Sequence, residues 1–245
     1  MKQLEITGFI VGRKSLKDTD KIITVFSKEQ GKISFIAKGI KRPTAKLQSH
    51  MEPLVETKFR VLASTKLPIV VAARAIGKNR YSSKTIEINI SGLLLTEVVE
   101  MVTVEQMPNA VLYRTYRQSL ADIASSSKTS LMLGYALLGI MQASGIAPNI
   151  QLREGVSRYY FNFSEGSLDS SRVGHDSTIM NTQVAKLWKV CLEHHKSTVR
   201  RLDVNDQILS ESLNLLLDFL QYSLGRKIKA VKVLSTSTNL LQAGR

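Results

Sequence analysis

The stretch AKGIKRPTAK, residues 37–46, places four cations, Lys38, Lys41, Arg42 and Lys46, among ten residues with no acid between them. Gly39 and Pro43 mark it as a loop, because Gly accepts left-handed dihedrals and Pro lacks a backbone donor. The chemistry open to such a loop is electrostatic: ammonium and guanidinium groups on a turn can neutralise the phosphates of a nucleic-acid backbone. Arg13 and Lys14, at the end of an earlier apolar run, extend the same set. For any one of these six cations alone, a solvated basic surface is an equally good account. The distribution of charge along the chain has to decide.

That distribution is uneven. The 245 residues carry a formal net charge of +14. Residues 1–84 hold 18 Lys and Arg against 6 Asp and Glu, whereas residues 85–245 hold 16 against 14. Charge added for solubility alone has no reason to stop near residue 84. A polyanionic partner for the first third of the chain accounts for the asymmetry.

Catalytic constellations are missing from the sequence. There is no GxxxxGK[ST] loop, no GxSxG elbow and no HExxH. Cys191, the single cysteine, lies at core spacing beside Trp188 and reads as a small buried apolar residue rather than a nucleophile. One cysteine also rules out an internal disulfide and any multi-cysteine zinc site. His194 and His195 fall at a helix end, where adjacent side chains diverge by about 100° and joint metal ligation is disfavoured. His50 and His175 have no ligand spacing around them. The expectation is a protein that is not an enzyme and needs no cofactor and no metal. The start MKQLEITGF lacks a signal pattern, and the apolar stretch 131–143 is too short to span a bilayer, so a cytoplasmic protein with no membrane contact is expected.

The elements that must hold the cations follow from period. LEITGFIVG, DKIITVFSK, KISFIAKG, LVETKFRVL and LPIVVAARAI are five short runs rich in Ile, Val, Phe and Thr. In KISFIAK, Ile33, Phe35 and Ala37 share one face, and Phe9, Phe26 and Phe35 all suit a barrel core. Five strands in about 75 residues fit a small barrel; the OB-fold is one solution, and an SH3-like barrel has a similar strand count. From Ser91 the period becomes helical. Ser91 is the expected cap of GLLLTEVVEMVTVEQ, Pro108 suits the first turn of the next helix, Thr129 or Ser130 opens a third, and Gly145 ends it. Val184, Leu187, Trp188, Cys191 and Leu192 recur at helical spacing, and a last helix covers 208–224. Between Asn162 and Thr182 the chain is polar and rich in Gly, Ser and Asp, as in a surface loop or a poorly ordered hairpin. The expected fold class is α+β multidomain, with residues 1–82 as a five-stranded OB-fold barrel and 83–234 as an all-α helical domain. A polar, cysteine-free insertion lies near 151–182, and residues 235–245 form a flexible tail.

The order of these features resembles the bacterial recombination mediator family RecO. The residues that carry the resemblance are Gly31 and Lys32 in a turn, Ala37-Lys38-Gly39 at a strand end, Lys41-Arg42, Ala45-Lys46-Leu47 and Pro53. Further on, SGIAPNI resembles the family's Gly-x-x-Pro-Asn/Asp-Leu segment, and FLQYSLGRKIKAVKVL resembles its closing helix. The resemblance implies an N-terminal OB-fold joined to a helical domain. It implies binding of single- and double-stranded DNA, annealing of complementary strands, and action with RecR in loading recombinase onto DNA coated by single-stranded DNA-binding protein (SSB), whose acidic C-terminal tail the family recognises. It also implies a nucleoid-associated protein. Many members carry four zinc-binding cysteines after the Pro-Asn segment; here NIQLREGVSRYYFNFSEGSLDSSRVGHDST has none, so the segment has to be held by Tyr159, Tyr160, Phe161 and Phe163 or stay loose.

Within that frame Arg13, Lys14, Lys38, Lys41, Arg42 and Lys46 are the expected phosphate ligands. Tyr81 is the one aromatic outside the expected core that could stack a base, and low aromatic content favours backbone contact over base readout. Arg114 and Arg117, beside Tyr113 and Tyr116 on a helix, could accept an acidic peptide ending in a carboxylate. Arg226, Lys227 and Lys229 form another candidate surface for protein or DNA. Two other functions remain open on these residues: an RNA- or ribosome-binding protein, and a scaffold docking acidic proteins.

Overall fold

The computed structural model describes residues 3–41, 51–64, 66–76, 80–156, 158–172 and 174–230. Two compact units, Met1–Ala124 and Ser125–Arg245, make up the chain.

The first unit begins with strands β1 (Gln3–Ser15), β2 (Lys21–Ser27), β3 (Gly31–Ala37), β4 (Glu56–Leu62) and β5 (Ile69–Ala75). They hydrogen-bond in the order β1-β2-β3-β5-β4, and β4 pairs back onto β1 to close the sheet into a barrel. The length of β1 makes the closure possible. Its first half, Gln3–Phe9, pairs with β4, and its second half, Gly8–Ser15, pairs with β2. A register shift between Ile10 and Gly12 provides the bend that a strand shared by two neighbours needs. Among the described barrel strands only β3 and β5 pair in parallel, meeting at Ile36 and Ile69, where the Ile36 N–H donates to the Pro68 carbonyl at 2.8 Å.

Alternation sorts the side chains. Ile6, Ile10, Ile23, Val25, Phe35, Ala37, Phe59, Val61 and Val70 fill the interior, with Ile33 packed against them, so Ile33, Phe35 and Ala37 do share the core face. Phe9 and Phe26 are buried elsewhere. They are cross-strand partners on the outer face of β1 and β2, where the rings of Tyr113 and Tyr116 cover them at centroid distances of 5.0–5.7 Å.

Those tyrosines sit on α2 (Ala110–Ala124), which packs with α1 (Ile86–Val102). Helix α1 starts five residues before Ser91. Thr85 is its cap and accepts from the Ile88 N–H, while Ser91 is buried inside the helix. Helix α2 is capped by Asn109, whose Oδ1 accepts from the Leu112 N–H at 2.9 Å, with Pro108 just ahead of it. Both caps are Ser/Thr/Asn residues as expected of orphan helical N–H groups, the first six residues before Ser91 and the second one residue after Pro108.

The second unit contains α3 (Thr129–Ala143), α4 (Thr182–Glu193), the short α5 (Lys196–Val199) and α6 (Asp206–Leu224). Helix α3 opens at Thr129, is buried along most of its length, touches both α4 and α6, and gives way after Ser144 to Gly145. The polar stretch after Asn162 is neither an open loop nor a two-stranded hairpin. Strands β6 (Tyr159–Asn162), β7 (Ser167–Asp169) and β8 (Ser177–Met180) form a three-stranded sheet in the order β7-β6-β8. Asn162 closes the β6–β7 turn by accepting from the N–H groups of Ser164 and Glu165. Phe161 anchors the sheet, meeting Trp188 at 5.3 Å and Phe219 at 5.0 Å edge-to-face. Aromatic packing therefore holds this cysteine-free segment in place. No described helix is long and apolar enough to cross a membrane.

Candidate nucleic-acid interface

The basic turn that follows β3 is built by the loop between β1 and β2. Gly39 takes φ +64°, a left-handed conformation that lets the chain reverse within Lys38–Lys41. Asp20 holds the reversal, since its Oδ1 accepts the Gly39 N–H at 2.8 Å and the Thr19 hydroxyl at 3.1 Å. Lys41 closes the clasp from the other side: its backbone N–H donates to the Thr19 carbonyl at 3.1 Å, and its Nζ donates to the Lys17 carbonyl at 3.0 Å. Lys38 and Lys41 are both exposed on this fixed turn.

The Gly39 N–H, more than Thr19 or the nearby Lys17 and Lys38, holds the Asp20 carboxyl below its ordinary range. A carboxylate with a lowered folded pKa contributes stability that is present above the unfolded value, about 3.9, and is lost as pH falls through the lower folded value. The clasp is therefore expected to stay intact at neutral and mildly acidic pH. The Gly39 amide resonance should titrate with a midpoint below that of an unperturbed Asp. A midpoint at or above the ordinary value would mean that the clasp is not formed.

Register determines where the cations point. Arg13 is the cross-strand partner of Ile23, and Lys21 of Ala37; both partners belong to the barrel core. Because paired residues share a face, Arg13 and Lys21 are interior-facing residues at one end of the barrel, beyond the last apolar layer. With Lys41 they line a cleft of about 250 Å³ whose floor is Ile23, Ile40 and Met51; Glu52 is its one acid among the described lining residues. Lys14 pairs with Ile22 and lies on the opposite face of β1 from Arg13. Arg42 and Lys46, like His50, lie outside the described residues, as does the tail 235–245. Lys21 is the residue that charge counting passed over. Its signal was parity, since Lys21, Ile23 and Val25 alternate along β2 and so share a face.

Tyr81 does not belong to an interface. It is buried, and its hydroxyl donates to the Leu120 carbonyl at 2.8 Å, with burial raising its pKa. Tyr113 and Tyr116 are buried too. The Tyr116 and Thr96 hydroxyls bond at 2.8 Å, and the Tyr113 hydroxyl donates to Glu56 Oε1 at 2.8 Å. The surface around Arg114 and Arg117 is therefore basic without exposed tyrosines. Arg117 Nε lies 2.9 Å from Glu56 Oε2, and Arg114 Nε donates to the Ala110 carbonyl at 3.3 Å. With Arg80 these two arginines line a recess of about 620 Å³ whose apolar wall includes Leu54 and Ile76. Arg226, Lys227 and Lys229 are exposed beyond α6, which Gly225 terminates, while Ile228 between them is buried.

No group of three His, Cys, Asp or Glu side chains arranged to hold a metal occurs among the described residues. Cys191 is buried, which pushes its thiol up to about 12. His194 ends α4, and His195 caps α5 by accepting from the Ser197 N–H.

The sequence matches the family described as Recombination protein O N terminal over residues 1–78, and the one described as Recombination protein O C terminal over residues 83–232. Among curated proteins it is similar to the DNA repair protein RecO of Exiguobacterium sp. (strain ATCC BAA-1283 / AT1b), 21% identical over 96% of this chain and 97% of that one. It is also 22% identical to that of Syntrophus aciditrophicus over 93% of both chains, and 23% identical to that of Acetivibrio thermocellus over 86% of this chain and 88% of the other.

Proposed function

The chain belongs to the RecO family, and from that premise we propose that it is a DNA-binding recombination mediator, acting by binding rather than by catalysis. Its barrel, with β1 shared between β2 and β4 and a parallel β3–β5 closure, is read as an OB-fold. It binds single- and double-stranded DNA, anneals complementary strands and, with RecR, helps load recombinase onto SSB-coated DNA in the bacterial cytoplasm. The observation that carries this reading is the barrel end. Interior-facing Arg13 and Lys21 converge with Lys41 on one cleft, beside a clasped turn bearing Lys38. The Lys41 ammonium also braces the turn through the Lys17 carbonyl, whereas Arg13 and Lys21, aimed out of the barrel mouth, suit a phosphate backbone that needs charge and no base readout. The recess beside Arg80, Arg114 and Arg117, where Glu56 is the one acid among the described lining residues and is paired with Arg117, keeps a cationic excess beside an apolar wall and suits the acidic SSB tail.

Replacing Lys38, Lys41, Arg42 and Lys46 with alanine is expected to weaken binding to all sequences alike. Each lost phosphate contact lowers the steepness of log K against log salt by ~0.7 for single strands, so the set lowers it by up to roughly 3. Thermal stability should change little, since exposed loop charges rarely contribute much. Wild-type affinity and wild-type slope in a folded variant would remove the turn from the interface. Annealing of SSB-coated strands, compared with strands coated by SSB lacking its acidic tail, tests the mediator reading itself. Equal annealing of both would exclude tail recognition, and tighter binding to RNA than to DNA of the same sequence would shift the reading to an RNA partner.

A further inference from the structure

The outer wall of the barrel carries a second group of cations. Lys58 and Arg60 of β4 alternate with the core residues Phe59 and Val61 and are exposed. Lys58 stands directly opposite Arg74 of β5 across the antiparallel ladder, and Arg60 stands opposite Ala72. Directly opposed like charges on one face of a sheet, with Cβ atoms about 5 Å apart, repel and destabilise the pairing. Nothing in the packing requires charge there, because all three side chains are exposed.

On the other flank β1 places Thr7 opposite Lys58 and Glu5 opposite Arg60. Glu5 is the acid paired with this group, bonded to Lys58 Nζ at 2.7 Å, while Glu56, two residues before Lys58 on the same face, is engaged by Arg117 and Tyr113. Its carboxyl is lowered first by that hydrogen bond and also by the charge of Arg60, so a single acid serves two cations. Arg74 makes no ion pair among the described residues. The wall between the charges is made of short side chains, Thr7 and Ala72, with no aromatic residue.

We propose that this outer face of β4 and β5, centred on Lys58, Arg60 and Arg74, is a second polyanion site that holds the phosphate backbone of a second nucleic-acid strand while the barrel end holds the first. The proposal rests on the nucleic-acid reading above. The two surfaces are separate: Arg13 and Lys21 face the interior at the end of β1 and β2, whereas these three cations face outward from the wall of β4 and β5. A nucleic-acid backbone is favoured over an acidic protein because, among the described residues, Lys58, Arg60 and Arg74 line neither the cleft nor the recess above, and the side chains facing them across the ladders, Thr7 and Ala72, include no aromatic anchor. Protein partners draw most of their affinity from such anchors, whereas phosphates need only placed charge.

The test uses the full chain and a labelled oligothymidylate of about ten nucleotides, within the range one barrel of this type engages. The variant is Lys58→Gln, Arg60→Gln and Arg74→Gln together, which removes the charge and leaves a shorter, polar side chain on the exposed wall; a matched barrel-end variant is Lys38→Ala with Lys41→Ala. Wild-type protein at low salt is expected to take up two oligonucleotides, and the wall variant one, with annealing of complementary strands slowed. Across the lost site the salt slope should fall by about 2, for three contacts. A folded wall variant that keeps both equivalents and the wild-type annealing rate overturns the proposal. One equivalent in the wild type, lost in the barrel-end variant, also overturns it while leaving the mediator reading intact; no uptake by the wild type ends both. Normal DNA uptake by the wall variant with lost binding of polyglutamate would assign the wall to an acidic protein and overturn the proposal as well.

Discussion

Replacing Trp188 with alanine is expected to lower the stability of the second unit by about 3–5 kcal/mol, the cost usual for emptying a large buried aromatic site. Trp188 is fully buried and its ring meets Phe161 edge-to-face at 5.3 Å, while Phe161 in turn meets Phe219 and Phe163. Removing the indole thus strips the support from the residue that anchors β6. It also strands a polar group, because the indole N–H donates to the buried Ser212 hydroxyl at 2.9 Å, and an orphaned buried partner costs a further ~1–3 kcal/mol. Trp188→Phe keeps most of the packing and loses only the hydrogen bond, so it should fall well short of the alanine variant. Urea unfolding monitored by circular dichroism separates the two. Alanine and phenylalanine variants of equal stability would mean that the cavity contributes nothing. Affinity for short oligonucleotides should be unchanged in folded Trp188→Phe protein, since the proposed DNA surfaces lie in the first unit.

The second large effect is expected at Gly31. Its φ is +67°, and a Cβ built there would fall 2.3 Å from the Met107 carbonyl oxygen. That carbonyl belongs to the connector between α1 and α2, which is stitched to β3. The Gln106 N–H donates to the Lys32 carbonyl at 2.9 Å, Lys32 Nζ donates to the Glu100 carbonyl at 2.9 Å, and the Glu100 carboxylate lies 3.7 Å from the same ammonium. Gly31→Val therefore combines backbone strain of order 1–3 kcal/mol for a β-branched residue in left-handed space with displacement of backbone that cannot rotate away. A total loss above ~3 kcal/mol is expected, with faster hydrogen exchange at the Gln106 amide as the local signature. A loss under ~1 kcal/mol with unchanged exchange would show that the connector yields freely.

Much of this architecture was legible because it is local. The five strands announce themselves by β-branched runs, and Lys28-Glu29-Gln30-Gly31 and Lys38-Gly39 by their turn glycines. The charge step near residue 84 pointed to the barrel before its topology was visible. What could not be read depends on residues far apart in the chain. Tyr81 looks like an exposed aromatic in sequence, and only the Leu120 carbonyl 39 positions on explains its burial. Ser91 is as good a cap by type as Thr85, and only the true start of the apolar face excludes it. The sheet β7-β6-β8 consists of runs of three and four residues in polar surroundings, too short for a period to show; it exists because Phe161 finds Trp188 and Phe219. Lys21 required pairing register, since its partner Ala37 is what places it on the interior face.

The aromatic cover over β1 and β2 has a consequence for vectorial synthesis. Phe9 and Phe26 leave the ribosome with the first strands, and β5, which completes the barrel, ends at Ala75. Tyr113 and Tyr116, which cover them, follow some forty residues later; at 5–20 residues per second that is a delay of roughly 2–8 s. During that interval the nascent barrel can close but carries two adjacent phenylalanines on its outside, an adhesive patch on a growing chain. A polypeptide released before α2 would keep that patch permanently, so the sequence that makes the barrel soluble extends to Ala124, well beyond the last residue of the barrel itself.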